Sequence, residues 1–536
     1  MTEVSRQFTR IISNYLRLLI TLGLGIAVVP LTIRWLGDDA FGLISLLGAN
    51  IGLAGIFRQI IQQSLVRELA QSFHQGDDVF RRCYAAIFQI ALLCAFLSVL
   101  SFLGVLLLLP MFKLPDGFET PARWFIIGQG AFTCVMVITA PLVNMFLVKE
   151  RFIQYNIWFI LGRAGNILSV IILGYVIVID DPAQGLKLHG LLWSAIASLI
   201  LVFASFAVIR DDKRLMPTFR GADKESRSGV VSTFTWNTAV QVAMNLHEQV
   251  PPFLLNFFGG TLANAAWGVG FRFVAYIRMC TTGIQFGSDA VSARLASNQD
   301  GDKVRKQLQA LIGVQTKMTA VVAIPAAAVI VVYGWPIFNI WVGGSLKNYE
   351  LVMPVAVYIS KILAIALASR AISDTWMLIL YGAGYVRQYA PWIFAGGIFA
   401  PVSSLIIMLI YDGQYQIYVP SVLFALVFLV VHLFGLPLMV SKCLHIPASK
   451  LLSALIRPSV ATIVSVLGAL GVLILGGAID GLGFATTITK ANSENIDYAW
   501  IIASIMVFTI VYAVLTWSLV LSTGEREMIT KSLLRR

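Results

Sequence analysis

Apolar residues run through almost the whole chain in long blocks, each closed by a short polar stretch. A helix needs about 20 mainly apolar residues to cross the hydrocarbon core of a bilayer. Fourteen blocks reach that length, near 11–33, 41–65, 83–110, 124–148, 154–179, 188–209, 229–257, 264–293, 309–335, 351–381, 389–411, 417–440, 458–478 and 499–521. The pattern predicts an all-α polytopic membrane protein with about 14 transmembrane helices. The tenth block is long enough to be tilted or broken, and the second and eighth are the most polar. The first is too long for the apolar core of a secretory signal and lacks a small-residue cleavage site, so it is expected to stay as the first span.

The connections orient the spans. The N-terminus, the even-numbered connections and the C-terminus together carry 25 Lys and Arg, and the odd-numbered connections carry 6 (Arg34, Lys113, Arg123, Lys187, Lys347 and Lys490). Positive residues stay on the cytoplasmic side, which places both termini in the cytoplasm and the protein in the cytoplasmic (inner) membrane. The basic connections Arg210–Arg227 and Arg294–Lys306 are then topology signals. The net charge of +12 needs no nucleic acid to explain it.

A repeat is visible at the ends of two spans. The first closes in "VVPLTIRWLG" (28–37) and the seventh in "VPPFLLNFFGG" (250–260). In each a proline precedes a glycine by seven residues, Pro30 to Gly37 and Pro252 to Gly259. A glycine then opens the next span, Gly42 or Gly268, which ends in an Arg and a polar loop. The offset of six spans keeps both halves in the same direction, as in parallel repeats. The expected organisation is an N-terminal six-helix lobe (1–220), a C-terminal six-helix lobe (221–445), and two further spans with a cytoplasmic tail (446–536).

Composition agrees: 58% of residues are apolar and 12% charged, about half the charged fraction of soluble domains. The five cysteines lie at no metal spacing and read as small buried apolar side chains. No phosphate-binding loop, zinc-type His-Glu spacing or nucleophile with a nearby base stands out, and "GLGFA" (481–485) lacks the strand and helix of a nucleotide site. The expected protein is therefore a transporter and not an enzyme.

Charges inside the spans change the picture most. Arg17, Arg58, Arg163, Arg272, Arg278, Lys317, Lys361 and Arg370 lie within the blocks, with Glu248, Asp289 and Asp374 as the accompanying acids. An Arg or Lys at the bilayer centre costs roughly 2.5–3.5 kcal/mol on insertion scales, and mutual pairing would need a balance that is absent. Lys317 is shallow enough to snorkel, and Arg17 is similarly shallow. Arg272 also reads as lying near an outer span end. Arg370 and Asp374 stand at i, i+4 and read as a pair on one helix face. Arg163 and Lys361 lie too deep for easy escape.

Arg58 sits near mid-span with Gln62 at i+4. In the eighth span Gln285 and Asp289 follow Arg278 at seven and eleven residues, the spacing of one helix face, and Asp289 matches Gln62 in register. Two such faces suit the walls of a water-filled cavity. A mainly cationic cavity favours an anion, because guanidinium donors match phosphate oxygens. "NLHEQVPP" (245–252) adds His247 and Glu248 before two prolines. Prolines that break the helix would leave carbonyls able to hold an ion. His247, Glu248 and Asp289 are therefore candidates for coupling to a proton or sodium ion; a hydrogen-bonded pair near the outer interface is the plainer reading of His247 and Glu248. No other cofactor is expected.

Residues 14–69, with the turn Leu36-Gly37 to Phe41-Gly42 and a polar second span closing in Arg67, resemble the N-terminus of Wzx-type polysaccharide-biosynthesis flippases of the multidrug/oligosaccharidyl-lipid/polysaccharide superfamily. The resemblance implies a V-shaped bundle of two six-helix lobes with two additional helices. It also implies movement of a polyprenyl-diphosphate-linked oligosaccharide to the outer leaflet by alternating access. By position, Arg17, Arg58 and either Arg272 or Arg278 would face the cavity, as arginines of spans 1, 2 and 8 do in related lipid II flippases. Polysaccharide polymerase and glycosyltransferases are the implied partners, besides the bilayer and the lipid-linked glycan. The alternatives are a multidrug or organic-ion antiporter of the same superfamily, and a membrane component of a polymerase or glycosyltransferase. The substrate-site residues expected are Arg17, Arg58, Gln62, Arg163, Arg272, Arg278 and Lys361.

Overall fold

The structure, a computed structural model, describes residues 3–48, 69, 72–73, 76–149, 151–218, 221–222, 224–285, 287–296, 301–476 and 498–534. The described residues are almost entirely helical and contain no strand. The main helices are α1 (Glu3–Leu47), α2 (Asp77–Leu108), α3 (Glu119–Val148), α4 (Phe152–Ile171), α5 (Pro182–Asp211), α6 (Lys224–Gln285), α7 (Ser288–Ala296), α8 (Gly301–Val342), α9 (Tyr349–Gly382), α10 (Val386–Ile410), α11 (Val419–Phe428), α12 (Leu436–Leu444), α13 (Ala448–Leu475), α14 (Tyr498–Leu515) and α15 (Thr523–Leu534). Among the described residues, 11 helices are long and apolar enough to cross a membrane. The protein is a multi-pass membrane protein.

Several boundaries differ from the apolar blocks. The tenth block is one unbroken helix of 34 residues. The fifth and twelfth pass into π-helical turns at Ile172–Ile177 and Leu429–Gly435. Most of the second block lies outside the described residues. The eighth ends early: α6 stops at Gln285, Gly287 takes a left-handed φ of 82°, and α7 starts at Ser288. A glycine followed by Ser-Asp is a stop-and-restart signal, and it outweighs the apolar run around it.

Two helices carry a hinge. Inside α1 Gly37 has φ 84° and ψ 167°, and inside α6 Gly260 has φ 75° and ψ −166°. These torsions are open to glycine and strained for other residues. The second hinge is thus Gly260 and not Gly259, which shifts the register of the two half-sequences by one residue. Counted from each hinge, Asp38, Phe41, Gly42 and Ser45 match Thr261, Asn264, Ala265 and Gly268. These faces touch: a Cβ on Gly42 would strike the Thr261 carbonyl, and one on Gly268 would strike Ser45. The two glycines that open the spans are therefore not equivalent. Each lets its helix approach the other closely, as small residues do between membrane helices.

Contacts divide the chain into two compact units. One comprises Met1–Val269, Val342–Ala356 and Ala390–Leu423; the other comprises Gly270–Trp341, Val357–Tyr389 and Phe424–Arg536. In the first unit the core includes Leu36, Phe125, Leu173 and Leu186 where α1, α3 and α5 meet, and Tyr84, Phe88 and Met145 where α2 meets α3. Gly128 against the Gly190 carbonyl brings α3 and α5 into close contact, and Gln129 donates to Ser194 at 3.1 Å beside it.

Two polar clusters mark the ends of the first unit. At one, Lys149 pairs with Asp211 (3.3 Å) and Asp212 (3.0 Å), Arg151 with Asp211 (2.9 Å), and Arg214 with Asp212 (2.9 Å) and Asp77 (2.6 Å). Hydrogen bonds from Arg214, and then from Lys149, hold the Asp212 carboxyl well below the usual carboxylate range. At the other end, side chains next to the hinges hold loops by their backbone. Asp38 is buried and accepts from the N–H groups of Lys347 (3.3 Å) and Asn348 (2.6 Å), just ahead of α9. Asn256 accepts from Lys113 N (2.9 Å) and donates to Lys113 O (3.4 Å), while Lys113 Nζ donates to Phe258 O (3.0 Å). Thr261 donates to Asp39.

In the second unit, α15 is tied back onto α8. Lys317 forms a two-point ion pair with Glu525 (2.5 and 2.6 Å), and Glu525 accepts from Ser522 N and Oγ (2.8 Å each) in a capping-box arrangement. Lys317 thus reaches a carboxylate on α15, which follows the last apolar helix. The cysteines divide: Cys83 and Cys94 are buried, Cys134 and Cys443 half-buried, and Cys280 exposed.

Candidate functional site

Arg58 and Gln62 lie outside the described residues. The other candidate positions fall into distinct settings, and depth along a helix separates them.

In the first unit, α1 and α4 bring two guanidinium groups to one ring. Arg17 lies 5.2 Å from the centroid of Phe159 and 5.7 Å from that of Tyr155, and Arg163 lies 5.6 Å from Phe159. Asn156, one turn before Phe159 is reached, donates to Ser13 at 2.7 Å and fixes the pairing of α1 with α4. Arg17 is half-buried and Arg163 exposed. An aromatic face attracts a cation without cancelling its charge.

In the second unit, α6 and α9 bring two more guanidinium groups to one carboxylate. Arg278 Nε reaches Asp374 Oδ2 at 2.6 Å, and Arg370 Nε lies 3.7 Å from Asp374 Oδ1. The i, i+4 pair expected between Arg370 and Asp374 is thus the weaker half of a triad, and Arg278 holds the closer bond. Arg370 also lies over Phe428, 5.4 Å from its centroid. The side chains of Arg370 and Asp374 are 5% and 10% exposed, and that of Arg278 is 41% exposed.

The expected common face holds for Arg278 and Gln285, which both meet α9, and fails for Asp289. Gln285 is buried and donates to Ala371 O (2.5 Å) and Thr375 Oγ1 (3.3 Å), which locks α6 to α9. Asp289 is half-buried on α7, beyond the break at Gly287, and its carbonyl abuts Gly382. Its separation from Arg278 by a left-handed residue removes the helical spacing on which the shared face rested.

Counted from the hinge at 1.5 Å per residue, Arg272 lies about 18 Å and Arg278 about 27 Å along α6. Arg272 is half-buried. Lys361 lies about 18 Å along α9 from Tyr349. Its side chain packs against Gly334 of α8 and over Tyr358, 5.7 Å from the ring centroid.

His247 is buried and Glu248 half-buried, on α6. Pro251 and Pro252 do not break this helix, whose non-helical residue is Gly260. The prolines still lack N–H groups, so the carbonyls of His247 and Glu248 lose their helical donors at i+4. His247 lies about 20 Å along α6 from Gly260. Among the described residues no group of three or more His, Cys, Asp or Glu is placed to hold a metal ion.

Sequence reading passed over the residues beside the hinges, Asp38, Asp39 and Asn256. The signal was present: two aspartates directly after a span-ending glycine are helix-capping chemistry.

No family profile matches the chain, and no curated protein matches it. Solved structures do. One is described as the lipid II flippase MurJ in an inward closed conformation, at a TM-score of 0.65 and 11% identity over 95% of this chain and 98% of that one. A second is an inward-facing multidrug resistance MATE family transporter of the MOP superfamily, at a TM-score of 0.56 and 11% identity over 84% and 98%. A third is a MOP superfamily transporter from Pyrococcus furiosus whose binding pocket is described as having reverse polarity, at a TM-score of 0.55 and 11% identity over 86% and 96%. At these identities the likeness is one of fold, shared with MOP superfamily transporters.

Proposed function

We propose that the protein is a flippase that moves a polyprenyl-diphosphate-linked oligosaccharide across the cytoplasmic membrane by alternating access. The observation that carries this reading is the arginine surplus inside the spans. Two guanidinium groups rest on Phe159, and two more share the single carboxylate of Asp374. Such groups suit a diphosphate, whose oxygens accept paired donors. The lipid II flippase among the similar structures supports the same substrate class.

In this reading Arg17, Arg58, Arg163, Arg272, Arg278 and Lys361 are the cationic side chains that serve the diphosphate and the sugars. The termini face the cytoplasm, by the distribution of basic connections. The hinge clasps at Asp38 and Asn256 then lie on the outer side and hold it closed. His247 and Glu248 are the groups placed for coupling to a proton or a sodium ion. In this reading glycosyltransferases supply the lipid-linked unit and a polysaccharide polymerase consumes it after it has crossed.

The test is export of the lipid-linked glycan in cells carrying Arg17→Ala or Arg58→Ala, with membrane levels of the protein measured in parallel. Lost export at normal protein level is the expected result. Normal export at normal level refutes the reading. The MATE-type neighbours favour a second reading, an organic-ion or multidrug antiporter. It predicts cation-dependent drug efflux that survives both substitutions.

A further inference from the structure

Asp374 has two cations and one carboxylate, and the two cations are not alike. Arg370 is buried beside it on the same helix, backed by Phe428. Arg278 comes from another helix, makes the shorter bond and has 41% of its side chain exposed.

The surroundings decide which group can move. Residues on both sides of Asp374 are pinned: Ala371 and Thr375 accept from Gln285, Ser373 hydrogen-bonds His432 at 2.8 Å, and Trp376 donates to Thr316 at 2.7 Å. Thr375 also meets Thr319 at 3.1 Å. The stretch of α9 that carries Asp374 is thus held from three directions. Arg278 sits near the end of α6, seven residues before Gln285 and the left-handed Gly287.

Removing the partner of a buried charge is normally costly, because the remaining charge is left without compensation. Here Arg370 stays beside the carboxylate when Arg278 leaves. The exchange costs one hydrogen-bonded partner and not the neutrality of the site.

We infer that Asp374 is a built-in stand-in for the substrate's anion: it holds Arg278 in the absence of substrate, and a diphosphate competes with it for the same guanidinium. Arg370 is the permanent counter-ion that makes the exchange affordable. Asp374 is a positioning residue, and its role is to weaken anion binding enough to allow release. This inference rests on the reading of the protein as a carrier of a diphosphate-linked cargo.

The experiment is titration of the full-length protein in lipid-free detergent micelles with inorganic pyrophosphate, followed by calorimetry. Arg278→Ala weakens binding about tenfold or more, and Asp374→Asn tightens it about tenfold, the value of one charge-assisted hydrogen bond no longer competing. Because Asp374→Asn leaves Arg370 without its carboxylate, Asp374→Asn/Arg370→Gln is measured alongside and is expected to tighten binding in the same way. Unchanged or weaker binding in both Asp374 variants, with Arg278→Ala still weakened, overturns the inference and leaves the diphosphate reading standing. Binding by the wild type that Arg278→Ala does not alter also overturns it. A parallel arm uses nanodiscs of phosphatidylglycerol. If Arg278-dependent binding with the Asp374 effect occurs there and pyrophosphate does not bind in micelles, the competing anion is a lipid headgroup and the inference falls. Failure of the diphosphate reading itself shows separately, as normal glycan export by Arg17→Ala and Arg58→Ala.

Discussion

Arg17 and Arg163 flank one phenyl ring, whereas Arg278 and Arg370 flank one carboxylate. Both arrangements solve the problem of holding cations inside a membrane protein, and they leave different charge behind. The ring of Phe159 orients two charges and cancels neither. Asp374 cancels one of its two. The first pair offers an anion the greater attraction and the second offers a graded one, because the carboxylate competes with whatever arrives.

Removing a partner should separate the two designs most sharply. Arg370→Ala leaves Asp374 with Arg278 as its counter-ion and should lower stability by roughly 2–3 kcal/mol, read as thermal unfolding of the purified protein. Arg17→Ala loses two aromatic contacts and should cost about 1–2 kcal/mol. Equal losses would show that the ring and the carboxylate hold their cations in the same way. Phe159→Leu keeps the apolar bulk and removes the ring quadrupole, with an expected cost of about 1 kcal/mol and weakened pyrophosphate binding. Unchanged binding would mean that the ring is packing alone.

Acid gives the smallest effect and tests carboxylate-held cations outside the spans. Asp212 is held below its ordinary range by Arg214 and Lys149. For Glu525, burial raises the carboxyl, but hydrogen bonds from Lys317 and Ser522 outweigh it and the net shift is downward. A carboxyl depressed in the folded state contributes stability above its unfolded pKa and loses it as pH falls through the folded one. The contribution should therefore be constant from pH 5 to 8 and fade below about 4. Hydrogen exchange in α15 should rise there, by the ~1 kcal/mol or less that such partly exposed pairs supply. A rise already at pH 6 would contradict the assignment.

The spans were legible because bilayer thickness imposes a length that hydropathy reports directly. Gly37 was legible as the close of a span, but the sequence pattern did not show that one helix turns there and continues to Leu47. Gly260 was missed by one residue, since Gly259 and Gly260 are adjacent and a sequence pattern does not say which takes the positive φ. The triad at Asp374 was half legible. The i, i+4 spacing pointed to Arg370, but Arg278 is 96 residues away in sequence, and tertiary neighbours leave no periodic trace. The face assigned to Arg278, Gln285 and Asp289 holds for the first two and failed at Asp289, because helical spacing was carried across Gly287, where the helix has already ended.

The clasps beside the hinges are made by side chains on the helices and backbone groups in the loops. Asp38 binds the main-chain N–H groups of Lys347 and Asn348, and Asn256 binds the main chain of Lys113 on both sides. A main-chain N–H is the same whatever residue carries it, proline excepted. Inherited constraint therefore falls on Asp38 and Asn256, while the loops they grip are left free to change sequence over generations, provided that their length and turn are kept. The surface such loops show can diversify without loosening the hold on them.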